Sequence, residues 1–300
     1  MLKVCLGTNG WLAGKNDMGI YNYNYSIEEI LDHAVENGYS GIEISNISSD
    51  PYPDNLRDLS KIKEFVEKYN YRNLKIAGIQ ANIPRTGASE NEDQREEFAS
   101  RLLENVIFAK TLEADYVGVW PAPKQPDVND WIVCQRLIAS FKKFFKKLEE
   151  SKIELGTMGI VVETEPVESF CNLTIAETVI NEIGSPNLKL LYDFAHINVL
   201  TNGNPIKAIR QFKGKIGHVH LADNDGTTWT SSKDGMSSKH LMIGEGNLNI
   251  REILENLIDT GYNNWIQIDV WQNPDPFQCS KINKIVVDNI LKNIESSRNE

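Results

Sequence analysis

The sequence predicts an α/β chain of the (β/α)8 TIM barrel class. Eight short apolar runs alternate with amphipathic stretches along the whole 300 residues. Most of the runs lack the polar–apolar alternation of a half-exposed strand, as strands covered on both faces should. Four consecutive runs also end in an acid or a histidine: Glu163 in GIVVETEP, Asp193 in LKLLYDFAH, His220 in IGHVHLAD and Asp269 in NWIQIDVW. In a closed barrel those four strand ends converge on one point.

The strands are expected at Lys3–Thr8, Gly41–Ser45, Lys75–Gln80, Tyr116–Pro121, Gly159–Glu163, Leu188–Asp193, Ile216–Leu221 and Trp265–Val270. Between them, IEEILDHAVENG and IREILENLIDTG space apolar residues as a helix does. They stop at Gly38 and Gly261, which suit a left-handed helix end. Ser26-x-x-Glu29, Ser89-x-x-Glu92, Thr174-x-x-Glu177 and Asn249-x-x-Glu252 each read as a capping box, the last with Asn as the cap. Eight strand–helix units without a linker rich in Gly, Ser or Pro fit one domain over residues 1–300. A doubly wound open sheet is the alternative, but no G-x-G-x-x-G follows the first strand.

Two loops after strands are long. One runs from Asn9 to Tyr25 with Trp11, Tyr21 and Tyr23; the other runs from Asp223 to Gly246 with Asn224, Asp225, Trp229 and His240. Both fall on the C-terminal face, where barrel enzymes hold substrates. Their aromatics are candidates for lids or substrate walls, against the plainer reading of surface irregularity or a subunit contact.

Composition narrows the classes. Hydrophobic content of 41% and charged content of 24% are ordinary for a globular protein with a large core. A net charge of -11 disfavours a polyanion such as DNA at long range. Lys142, Lys143, Lys146 and Lys147 lie on one predicted helix and read as a solvated face. Cys5, Cys134, Cys171 and Cys279 form no C-x-x-C pair, so reduced thiols in a cytoplasmic protein are expected. The N-terminus enters a strand at once, unlike a signal peptide, and no apolar run approaches the ~20 residues that span a bilayer. A homo-oligomer is left open.

Three carboxylates and an imidazole in one cavity would repel one another unless a cation sat between them. Oxygen and imidazole ligands without thiolate point to Mn2+, Mg2+, Co2+ or Zn2+. Such a cation would polarise a substrate carbonyl and acidify the adjacent C–H. One flanking carboxylate would remove the proton and another return it. Plainer readings accompany each residue. Glu165 shares a strand face with Glu163, and either is a candidate ligand. His218 shares a face with His220 and reads as a hydrogen-bonded core histidine. His196 either touches substrate, orients a neighbour or caps the next helix. Trp11, Trp120 and Trp271 lie near strand ends, where stacking on a sugar competes with simple packing.

VVETEP, SPNLKLLYDFAH, GHVHLADNDG, HLMIGEGNLN and ILENLIDTGYNNWIQID together resemble the xylose-isomerase-like barrels. That family includes sugar-phosphate isomerases and epimerases, inosose dehydratase and endonuclease IV. The resemblance covers nearly the whole chain. It implies one divalent cation, with Mn2+ favoured, on Glu163, Asp193, His220 and Asp269. Glu163 and Asp269 would double as the acid/base pair, and His196 would touch the substrate. The strand-eight acid is typically Glu in the family; Asp269 is one C–C bond shorter, which puts its proton-carrying role in doubt.

The expected activity is a metal-dependent sugar isomerase or epimerase acting on a sugar or keto-polyol, with an inosose-type dehydratase as the alternative. Candidate substrate groups are Trp11, Gln80, Glu165, His196, Asn224 and His240. Gly244-Glu245-Gly246 offers backbone N–H groups for a phosphate, but no Lys or Arg accompanies it, so an unphosphorylated substrate is favoured. Endonuclease IV relatives carry histidines at the ends of strands three and four and an Asp-x-His before the Gly turn. Here Gln80, Trp120 and Ser238-Lys239-His240 stand instead, so a nuclease is less expected, as is a non-catalytic sugar-binding barrel.

Overall fold

A computed structural model of the chain describes residues 2–8, 11, 25–45, 58–70, 72–81, 83–228, 237–271 and 273–299. Eight parallel strands close into a barrel in chain order: β1 (Lys3–Gly7), β2 (Gly41–Ser45), β3 (Lys75–Gln80), β4 (Tyr116–Val119), β5 (Gly159–Glu163), β6 (Leu188–Asp193), β7 (Ile216–Leu221) and β8 (Trp265–Ile268). β8 returns to β1, with Ile266 opposite Val4. The helices between and after them are α1 (Ile27–Glu36), α2 (Leu59–Asn70), α3 (Glu92–Thr111), α4 (Asp130–Glu150), α5 (Leu173–Ile183), α6 (Phe194–Leu200), α7 (Pro205–Gln211), α8 (Ile250–Asp259) and α9 (Pro276–Asn299). This is the (β/α)8 barrel that the alternation predicts. β1, β4 and β8 stop short of their expected ends; at β4 the chain meets Pro121, which has no N–H to give a neighbour. Tyr21, Tyr23 and Trp229 lie outside the described residues.

Ser26 and Glu29 form the expected capping box on α1, and Asn249 accepts from the Glu252 N–H at the start of α8. The other two boxes do not form. Asn91 caps α3 by accepting from the Asp93 N–H, and Asn172 caps α5 by accepting from Thr174 and Ile175. In both cases an amide oxygen in extended backbone just ahead of the helix reaches its free N–H groups.

The main core lies between strands and helices, where Phe98, Phe108, Phe141 and Phe144 of α3 and α4 are fully buried. Each such side chain contributes roughly 1.5–3 kcal/mol. Inside the barrel, Cys5, Ala77, Tyr116, Val161, Leu191 and Trp265 form a separate apolar cluster. Asp115 closes the base below it, accepting from Trp265 Nε1 at 2.6 Å and from Lys3 and Lys75 at 3.1 and 3.0 Å.

Alternate strand residues face the same side. Glu163 and Asp193 therefore stand one step above Val161 and Leu191, and Gln267 and Asp269 follow above Trp265. Glycines make room for this polar layer. A Cβ on Gly118 would fall 1.5 Å from Gln80 Oε1, and one on Gly7 1.7 Å from Gln267 Nε2.

Candidate active site and metal centre

The mouth of the barrel collects Glu163 from β5, Asp193 from β6, His220 from β7 and Asp269 just beyond β8, all buried. Each carboxylate has one oxygen tied and the other turned inward. Gln80 Nε2 donates to Glu163 Oε2 at 2.8 Å. The His196 backbone N–H donates to Asp193 Oδ1 at 2.7 Å, so Asp193 also caps α6. The Trp271 N–H donates to Asp269 Oδ1 at 2.8 Å. The remaining oxygens surround Nδ1 of His220: Glu163 Oε1 at 3.4 Å, Asp269 Oδ2 at 3.6 Å and Asp193 Oδ2 at 3.9 Å. That Nδ1 is buried yet has no hydrogen-bond partner among the described residues.

An orphaned imidazole nitrogen ringed by carboxylate oxygens is a donor set that would suit a divalent cation. Glu163, Asp193 and His220 offer ligand atoms all within 4.8 Å of one another, as do Asp193, His196 and His240, and Glu43, His218 and His220; Asp269 is in none of these sets. Ligand atoms about 2.0–2.2 Å from one ion lie roughly 3–3.5 Å apart, so the donor set fits with small adjustments.

His240 arrives from the loop after β7. Its Nδ1 lies 3.0 Å from the Ser238 carbonyl, and its Nε2 lies 3.4 Å from Asp193 Oδ2 and 3.8 Å from Asp269 Oδ2. His196 stands edge-on to it, with Nε2 3.7 Å from Glu163 Oε1. Trp271 meets His240 edge-on at 5.8 Å, and Trp120 is half-buried past β4.

Electrostatics agree with crowded acids. Burial raises the Glu163 carboxyl pKa, against the opposing pull of His220. Burial also works to raise Asp193, but His196 and His240 beside it hold it well below the usual carboxylate range. Burial disfavours charge on His240, yet Asp193 and Asp269 lift it to about 9.

Several expected substrate groups are placed otherwise. Trp11 is fully buried, edge-on to Phe277 at 4.9 Å and near Tyr25 and His33, so it packs in the core between α1 and α9. Asn224 has no free polar site. Its oxygen accepts from Asn198 and Gly226, and its amide donates to the carbonyls of Thr227 and Lys239, so it pins the loop. Glu165 lies beyond the end of β5, where strand alternation has ceased; it is half-buried and bonds none of the cluster among the described residues. Gln80 is spent on Glu163.

The Gly244–Gly246 amides are not open to a phosphate either. Asp223 accepts from the N–H groups of Gly244, Gly246, Leu248 and Asn224 at 2.8, 3.1, 3.2 and 2.8 Å.

Sequence reasoning missed Glu43. This β2 residue is fully buried inside the barrel, with its Oε2 2.7 Å from Tyr116 Oη, 3.2 Å from His220 Nε2 and 3.4 Å from His218 Nε2. Its signal was a single acid inside the apolar run GIEIS.

A family model described as xylose isomerase-like TIM barrel matches residues 31–283. Fructoselysine 3-epimerase of Shigella flexneri is 23% identical over 249 residues, which cover 81% of this chain and 85% of that protein. Inosose dehydratase of Lacticaseibacillus casei (strain BL23) is 22% identical over 307 residues, covering 93% and 94%. A local match to MJ1311 of Methanocaldococcus jannaschii is 36% identical over 94 residues but spans only 30% of this chain and 28% of that protein. Among solved structures, a D-tagatose 3-epimerase-like protein superposes with a TM-score of 0.71 at 20% identity, covering 99% of each chain. The IolI protein with a bound zinc atom does so with a TM-score of 0.71 at 16% identity, also over 99% of each.

Proposed function

Because the chain belongs to the xylose isomerase-like TIM barrel family, we propose that it is a divalent-metal-dependent sugar isomerase or epimerase. It moves a proton at the carbon beside a carbonyl of a sugar or keto-polyol. The unpartnered Nδ1 of His220, faced by one inward oxygen from each of Glu163, Asp193 and Asp269, carries this reading. These residues would hold Mn2+ first, with Zn2+, Co2+ or Mg2+ as substitutes. When bound, the cation supplies Lewis-acid polarisation of the substrate carbonyl, which acidifies the neighbouring C–H.

Glu163 and Asp269 approach from β5 and from beyond β8, so they flank a substrate from two directions. Glu163, with Oε2 held by Gln80 and Oε1 turned inward, is suited to taking and returning a proton. Asp269 would serve on the other side over a shorter reach. His196 and His240 would steady substrate oxygens. The occupied Gly244–Gly246 amides favour an unphosphorylated substrate. Four free, scattered cysteines suit a cytoplasmic setting. No described helix is long and apolar enough to cross a membrane.

The test is a panel of ketoses, aldoses and inososes with added Mn2+ in deuterated water. Deuterium entering a substrate carbon without loss of water is the expected result. Loss of water would select the second reading, a dehydratase, which the near full-length match to inosose dehydratase favours. No turnover at any substrate, with metal restored, would leave a sugar-binding barrel. Nicking of abasic DNA would revive a nuclease, against Gln80 at the end of β3, Trp120 just past β4 and a net charge of -11.

A further inference from the structure

We infer that Glu43 is a positioning residue that fixes which nitrogen of His220 is presented to the metal. The inference rests on the cation site proposed above. His220 faces acceptors on both sides: Glu43 Oε2 lies 3.2 Å from Nε2, and three carboxylate oxygens lie 3.4–3.9 Å from Nδ1. A neutral imidazole has one ring proton, and the nitrogen without it is the metal ligand. If nothing competed, the oxygens at the mouth would draw that proton onto Nδ1 and close the site to a cation.

Glu43 is the competitor below. Tyr116 donates its O–H to Glu43 Oε2 at 2.7 Å, which identifies that oxygen as an acceptor. The ring nitrogen facing it must then be the donor, so Nε2 holds the proton and Nδ1 keeps its lone pair. The rings around it are closely packed. His218 stacks on Tyr116 at 3.8 Å with 23° between the rings, and meets His220 edge-on at 5.0 Å. Glu43 itself is 0% exposed, so no water replaces it as proton acceptor. A carboxylate behind a metal-binding imidazole both orients the ring and raises its basicity, and loss of such a partner weakens metal binding about 10–100-fold.

The experiment measures Mn2+ and Zn2+ affinity of the metal-stripped full chain by competition with a chromophoric chelator, for wild type, Glu43→Gln and Glu43→Asp. Glu43→Gln is expected to bind about 10–100-fold more weakly, and Glu43→Asp to recover part of the loss. Ring 15N spectra of the Zn2+-loaded wild type give a readout that does not depend on any variant folding. Metal on Nδ1 with the proton on Nε2 supports the inference; the reverse assignment overturns it. Equal affinity of wild type and Glu43→Gln overturns it while the functional reading stands. Wild type that binds neither ion overturns both. A second bound ion lost on His218→Ala would make Glu43 a ligand in its own right and likewise overturn it.

Discussion

The two halves of the barrel point different things inward. β5 to β8 lead to Glu163, Asp193, His220 and Asp269, whose inward atoms crowd one position. β1 to β4 contribute Glu43 and Gln80, which hold His220 and Glu163, and Gly7 and Gly118, which make space for Gln267 and Gln80. One half gathers the acids and the imidazole, and the other holds them in place. The contrast teaches that strand ends can bring polar groups together, whereas strand interiors decide how those groups are aimed.

The sharpest way to break that division is Glu163→Gln. Metal uptake and turnover should both collapse, with kcat/KM down about a thousandfold, within the range expected for losing an acid/base group. Elemental analysis and steady-state kinetics check this, and full activity would remove the mechanism. A change in the supporting half should act more gently. Gly118→Ala drives a methyl group into Gln80 and frees Glu163 Oε2. Stability should fall by about 1–3 kcal/mol, with turnover reduced roughly tenfold, about 1.4 kcal/mol of barrier. Urea unfolding and kinetics read both numbers.

Asp223→Ala leaves four backbone N–H groups without their acceptor. A loss of about 1–3 kcal/mol is expected in denaturant unfolding.

A pH series sharpens the comparison further. His240 is held at about 9 against an ordinary 6.5, so its contribution to the metal-free fold is fully present below 6.5 and is lost as pH rises through about 9. Bound metal should flatten this loss, because cation and proton compete for the same acids. Unfolding midpoints with and without Mn2+ test the sign. The smallest effect is expected at the base: Asp115→Asn should cost about 1 kcal/mol and leave kinetics unchanged.

The convergence of Glu163, Asp193, His220 and Asp269 was readable because each stands at the end of a buried apolar run, and a closed barrel brings such ends together. All eight strands were readable for a related reason, since strands covered on both faces lack polar punctuation. Helix starts were less so. Serine and threonine advertised boxes at Ser89 and Thr174, but Asn91 and Asn172 outcompeted them through a side-chain position that spacing does not encode. Asn224 and Trp11 looked available because a loop sequence says nothing about saturation: only coordinates reveal that every polar site of the one is taken and that the other is sealed among aromatics. Glu43 passed unnoticed because its partners, Tyr116 and His220, are 73 and 177 residues away along the chain.

Gly118 and Gln80, like Gly7 and Gln267, occupy each other's volume across neighbouring strands. Neither member of such a pair can enlarge while its neighbour stays as it is. In a lineage of this barrel the two positions should drift together, a bulky side chain migrating from one strand to the next only when the vacated site admits it.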